Sequence, residues 1–253
     1  MKKWFSITAL FLLSYLVFII ATLPASLLVN YINIPNGVTL SGLSGSIWQA
    51  HIKTLAITTT NQQDHIIVHN VRLKITPTSL ITLQPSIKLI FGGKLLEGPQ
   101  GELTLTKLLS QPEIIDADIQ LSATEISQRL NLPIKVQAFG KVQLTLAQFT
   151  LGKPLCSLAQ GHLAWQRAAL NAFDQTVELG NLTAKISCEK GALAIKIDPK
   201  NKLGLTFTTY IRSSKQISGN GYLTPNSRLP KAVQDLLPFL GKPDNKGRYR
   251  LRF

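Results

Sequence analysis

The chain has 253 residues, 45% of them hydrophobic and 16% charged, and its 27 Lys+Arg against 13 Asp+Glu give a formal net charge of +14. With an apolar N-terminal run set aside, about 225 residues remain, enough for one large β domain or two lobes of ~100 residues each. Residues 151–253 hold 16 basic and 6 acidic side chains, against 11 and 7 in residues 1–150. No nucleic-acid-binding motif accompanies this excess, which excludes nucleic acid as the expected partner and leaves anionic lipid headgroups, an acidic protein or plain solvent.

From Trp4 to Leu23 there are 20 residues without a charge, preceded by Lys2 and Lys3. At ~1.5 Å per residue a helix of that length spans about 30 Å, the hydrocarbon thickness of a bilayer. Helix is the single-segment structure that satisfies every backbone N–H and C=O in lipid. The positive-inside bias keeps residues 1–3 in the cytoplasm, makes residues 4–23 a transmembrane anchor and puts residues 24–253 on the far side. A cleaved signal peptide is the competing reading. Against it, the run exceeds the ~7–15 apolar residues of a signal core, and Leu23-Pro24-Ala25 is a poor cleavage site.

Pro24 and Pro35-Asn36-Gly37 punctuate the next segment. Val38, Leu40 and then Ile47–Ile57 are expected as strands, separated by a glycine-rich turn at Gly42–Gly45. Val71, Leu73 and Ile75 alternate with Asn70, Arg72, Lys74 and Thr76, the period of a half-buried strand. Ile87–Phe91, Leu103 with Leu105, Ile134–Ala138 and Val142–Leu146 continue the pattern. Ser122 and Glu125 have capping-box spacing, with Ile126 and Leu130 on one face and Pro133 closing a short helix. Leu182–Ile186, Leu193–Ile197 and Leu203–Ile211 alternate again, and Leu229–Leu237 is a second short helix. In the last strand Tyr249, Leu251 and Phe253 alternate with Arg248, Arg250 and Arg252.

The expected fold is therefore mainly β: an N-terminal transmembrane helix, then an antiparallel β domain with two short helices. That domain is either single or divided into lobes at about 38–150 and 151–253. GSIWQA (Gly45–Ala50) and GHLAWQRA (Gly161–Ala168) hint at an internal repeat with one tryptophan per lobe.

Little in the sequence points to chemistry. His65 and His69 would share a metal on a helix, but four residues along a strand span about 13 Å, too far for one ion. His51 and His162 stand alone. Asp116 and Asp118 are read as the polar face of a strand rather than a catalytic pair. No nucleophile-elbow, P-loop or zinc-protease motif occurs. The expectation is no enzyme, no metal and no cofactor. Trp48 and Trp165 are expected as structural core anchors. Cys156 and Cys188 are the only cysteines, and on the far side of a membrane an even pair favours a disulfide over two separate thiols.

Taken in order, PASLL (Pro24–Leu28), LSGLSGSIWQA (Leu40–Ala50), VRLKITPTSLITLQPSIKL (Val71–Leu89), CSLAQGHLAW (Cys156–Trp165), LGNLTAKISC (Leu179–Cys188) and LGKPDNKGRY (Leu240–Tyr249) resemble the type II secretion system protein N family. The resemblance runs along nearly the whole chain, the paired cysteines included. It implies a single-pass protein of the bacterial inner membrane with its C-terminal domain in the periplasm. Its partners would then be other inner-membrane and periplasmic subunits of the machine that exports folded proteins. It implies no catalytic residues. The alternative, from a different class, is a membrane-tethered lipid-transfer protein in which an apolar sheet face cradles an acyl chain, resting on likeness of architecture alone.

Overall fold

The computed structural model describes residues 2–29, 37–58, 65–81, 84–93, 97–108, 110–129, 136–172, 175–213, 215–227, 229–235 and 237–253. They divide into two compact units, Met1–Glu97 and Gly98–Phe253. The division falls after Glu97 rather than at the 150/151 lobe boundary considered from sequence. Residues 150 and 151 both lie within one long strand that is hydrogen-bonded to its neighbour on either side of that point.

The first unit opens with helix α1 (Lys2–Thr22) and a short helix α2 (Ala25–Val29). Strands β1 (Val38–Ser46), β2 (Gln49–Thr58) and β3 (His65–Ile75) follow, then a single helical turn α3 (Pro77–Ile81) and strand β4 (Ile87–Phe91). The four strands form an antiparallel meander in sequence order. Ile52, Val68 and Val71 are its buried residues, with Leu40, Leu43, Leu55, Leu73 and Leu89 packed against them.

The turn expected at Gly42–Gly45 is instead part of β1, and the chain reverses at Ile47-Trp48 between the paired Ser46 and Gln49. Gly45 sits at φ +90°, and a Cβ there would lie 2.2 Å from the Gln49 carbonyl oxygen. Only glycine fits so close beside a tight hairpin. The glycines thus shape the strand rather than end it.

The second unit comprises β5 (Gln100–Thr106), β6 (Glu113–Ser122), helix α4 (Ala123–Arg129), β7 (Gln137–Leu151), β8 (Cys156–Ala172), β9 (Gln175–Glu189), β10 (Ala192–Ile197), β11 (Leu205–Ser213), β12 (Gln216–Leu223), helix α5 (Lys231–Gln234), a 3-10 turn (Leu237–Leu240) and β13 (Tyr249–Arg252). Its nine strands again run antiparallel in sequence order. One apolar cluster is built from Ala117, Leu146, Ala159 and Ile186. A second is built from Ala168, Leu179, Leu203, Leu223 and Leu229, with Val233 and Leu237 laid against it. The expected helix at Leu229–Leu237 is accordingly split, with one short turn from Lys231 to Gln234 and the 3-10 turn beginning at Leu237.

Ser122 does cap α4, its hydroxyl accepting from the Thr124 N–H at 3.3 Å. The reciprocal half of the expected capping box is absent: Glu125 reaches outward and accepts from the Gly98 N–H at 3.0 Å. Leu130 and Pro133 lie outside the described residues. The GSIWQA and GHLAWQRA segments are not structural equivalents, since the first is a hairpin tip and the second lies inside β8.

Candidate functional site

Two places concentrate the residues singled out from the sequence. The first is the junction of α1 with the β1–β2 hairpin. In a helix the Ile20 carbonyl would accept from the amide four residues on, but that residue is Pro24, which has no N–H. The Trp48 indole Nε1–H takes the vacant place at 3.0 Å. Next to it the Ile47 amide donates to the Leu23 carbonyl at 2.9 Å, and Pro24 bridges to Ser46. Trp48's own carbonyl accepts from the Ile75 amide at 2.9 Å, which ties the tip to the end of β3. Trp48 is half-buried, so its indole works as a helix cap as much as a packing group. Proline at position 24 was the available signal for this, because it predicts an orphaned carbonyl one turn back.

Along α1 the apolar side chains point outward: Leu10, Phe11 and Phe18 are each 65–69% exposed. Among the described residues no helix is long and apolar enough to cross a membrane. The side chains of Phe5 and Ser6, which belong to the charge-free run, lie outside the described part.

The second place is the β6–β9 region of the large unit. Cys156 and Cys188 are joined in a disulfide with Cα atoms 6.1 Å apart. Cys156 enters β8 while its amide, like that of Leu155, donates to the Gly191 carbonyl in the β9–β10 turn. A Cβ on Gly191 would meet Pro154 at 2.4 Å. The disulfide thus fastens the open end of the β8–β9 hairpin where the chain presses against the next turn. Trp165 stands in β8, half-buried beside the Leu179–Leu203 cluster, and its indole donates to the Phe139 carbonyl at 2.9 Å.

Cross-strand register resolves the two faces. Ala117, Leu146, Gly161, Ile186, Ile195, Thr209 and Gly219 form one continuous row from β6 to β12. The adjacent row is Asp118, Thr145, His162, Lys185, Lys196, Thr208, Asn220 and Arg252, running from an acidic end on β6 to a basic end on β13. Part of the positive excess of residues 151–253 is therefore ordered on the polar face. A cavity of about 860 Å³ over β6–β9 is lined by Asp116, Asp118, His162 and Lys185 as well as Ala147 and Leu158. Ala117, Leu146, Ala159 and Ile186 of the first apolar cluster line the same cavity.

Of the remaining candidates, Asp118 and His51 have hydrogen-bond partners. Asp118 accepts from Gln143 at 3.0 and 3.2 Å, and Asp116 sits at φ +49° beside a shift in register. His51 shares a hydrogen bond of 2.8 Å with Asn70. His65 and His69 both lie on β3 and His162 on β8. Among the described residues no three His, Cys, Asp or Glu side chains converge on a metal position. Glu113 is buried and its carboxyl is held below the ordinary range, first by the Gln148 amide and then by the Lys107 ammonium at 2.9 Å. Burial, together with nearby Glu189, raises the Tyr210 phenol. Both groups serve the sheet.

Residues 36–252 match the family model described as "Type II secretion system (T2SS), protein N". The type II secretion system protein N of Aeromonas hydrophila is 28% identical over 264 aligned positions, covering 100% of this chain and 98% of that protein. The Vibrio cholerae protein of the same name is 24% identical, covering 91% of this chain and 90% of its own. That of Klebsiella pneumoniae is 29% identical over 57% of this chain and 59% of its own. No solved structure matches the chain. The family match spans both β units, and on that ground the chain belongs to the type II secretion system protein N family.

Proposed function

We propose that this component of the type II secretion system is a single-pass protein of the inner membrane that does no chemistry of its own. Lys2 and Lys3 stay on the cytoplasmic side, α1 crosses the bilayer, and the two β units stand in the periplasm. There they support export of folded proteins across the outer membrane through contacts with other subunits of the machine. The observation that carries this reading is the charge-free run from Trp4 to Leu23, 20 residues long, which falls almost entirely within the 21-residue helix α1. Isolated apolar side chains so exposed along a whole helix are unstable in water and at home in lipid. The basic row that ends at Arg252 is the face offered to an acidic partner.

A reporter active only outside the cytoplasm, fused after Phe253, tests the topology. Activity of the fusion, together with an N-terminus that still contains Lys2 and Lys3, supports the reading. A mature chain starting near Ser26 sinks the anchor.

A further inference from the structure

We propose that the tip of the β1–β2 hairpin, Ile47 and Trp48, rests in the phospholipid headgroup layer at the far end of α1 and fixes the first β unit to the membrane surface. The inference deepens the anchor reading and rests on it. Ile20 lies 16 residues after Trp4, about 24 Å along a helix that rises ~1.5 Å per residue. With Trp4 at one boundary of a hydrocarbon layer ~30 Å thick, the last turn of α1 meets the other boundary.

The Trp48 indole is within hydrogen-bonding distance of that turn, so the depth of the helix end sets its depth as well. It is half-exposed, with Ile47 beside it and the 49%-exposed Leu27 on the adjoining α2. Tryptophan is enriched at this depth because its ring is apolar while its N–H needs a polar partner, here supplied by the helix carbonyl. Three backbone connections, Ile47 to Leu23, Pro24 to Ser46 and Ile75 to Trp48, make the junction stiff rather than a flexible tether. The first sheet therefore leaves the membrane in a set direction.

The full chain is reconstituted in nanodiscs containing phosphatidylethanolamine and phosphatidylglycerol, with Trp4→Phe and Trp165→Phe leaving Trp48 as the only indole. A nitroxide attached near the headgroup is expected to quench Trp48 emission by about half, and bromines near the acyl-chain ends to leave it nearly unchanged, as for an interfacial indole. Should Trp165→Phe weaken the fold, the difference between the otherwise unaltered protein and its Trp48→Phe variant gives the same readout. Leu13→Trp, placed mid-helix in the background without other indoles, is the control for the anchor.

Deep quenching at position 13 combined with no quenching of Trp48 overturns the hairpin contact and leaves the anchor standing. Equal deep quenching of Trp48 also overturns its interfacial placement. Absence of deep quenching at position 13 removes the anchor, and this inference with it.

Discussion

The indole N–H of Trp48 donates to the carbonyl of Ile20, 28 residues earlier in the chain, at 3.0 Å. The bond exists because Pro24 cannot donate to that carbonyl, so one imino acid in the linker and one indole in a hairpin tip form a single device. Trp48→Phe keeps most of the packing area and removes only the donor, a change of about 1 kcal/mol. Chymotrypsin is then expected to cut the Leu27–Leu28 bond, just past the junction, about fivefold faster, the population shift that energy implies. Pro24→Ala in the same background offers Ile20 an amide again and is expected to recover part of the protection. Unchanged cleavage in Trp48→Phe would show that the bond does not hold the junction.

Trp165 is the counterpart test within the large unit. Its ring packs against the Ala168–Leu223 cluster and its N–H is satisfied by Phe139. Trp165→Ala is expected to destabilise the unit toward the low end of the about 3–5 kcal/mol seen for buried aromatic truncations, since the ring is half-buried. Trp165→Phe removes the hydrogen bond and some area and should be milder, about 1 kcal/mol. Thermal denaturation of both variants measures this. A Trp165→Ala protein with an unchanged melting temperature would make the residue a contact surface.

The Cys156–Cys188 bridge closes a loop with a sequence separation of 32, for which the chain-entropy model gives about 3.7 kcal/mol. That is a large share of the ~5–15 kcal/mol of a typical domain. Cys156→Ser and Cys188→Ser are each expected to lower the steady-state protein level. The double variant should be scarcely worse than either, because both changes break one bond. Thiol alkylation before reduction checks the bridge itself: ready labelling of both cysteines would refute it.

Asp244 shapes the turn into β13. Its carboxylate accepts from the Arg248 side chain at 2.8 and 2.9 Å and from the Lys246 and Arg248 amides at 2.9 Å. Arg248 also lies over the Tyr222 ring, 4.3 Å from its centroid. These bonds, the Arg248 side chain first, lower the Asp244 pKa from 3.8 to about 2. A depressed carboxyl stabilises the fold above its unfolded pKa and loses that contribution as pH falls through the folded one. The turn is therefore expected to be intact at pH 5 and above and to loosen between about pH 4 and pH 2. Carboxyl-carbon NMR of Asp244 reads the midpoint, and Asp244→Asn should abolish the transition of the Arg248 amide in that window.

Much of the β architecture was legible because alternation survives wherever a strand has one apolar face. Val71, Leu73 and Ile75 in β3 and the Leu193–Ile197 alternation in β10 are read directly from period two. The length of β7 and β8 was not legible. Register shifts at Phe139/Lys141, Leu146/Gln148 and Trp165/Ala168 move the phase by one residue, and the apolar series then looks like several short strands. Gly42 and Gly45 misled for the opposite reason: a glycine that shapes a strand from inside has the same letter as one that ends it. The Cys156–Cys188 pairing was reachable from the even count and the compartment expected from sequence. The role of Trp48 was not, because it depends on a contact across 28 residues that periodicity does not encode.

The central claim is that this chain works in the secretion machine and needs a membrane anchor to do so. Deleting its gene and measuring the machine's substrate proteins in the culture medium tests it most directly. The expected result is that those proteins stay folded in the periplasm and fall in the medium, and that the full chain restores them while residues 24–253 exported from a cleavable leader do not. Undiminished secretion in the deletion strain, or full restoration by the unanchored form, would contradict it.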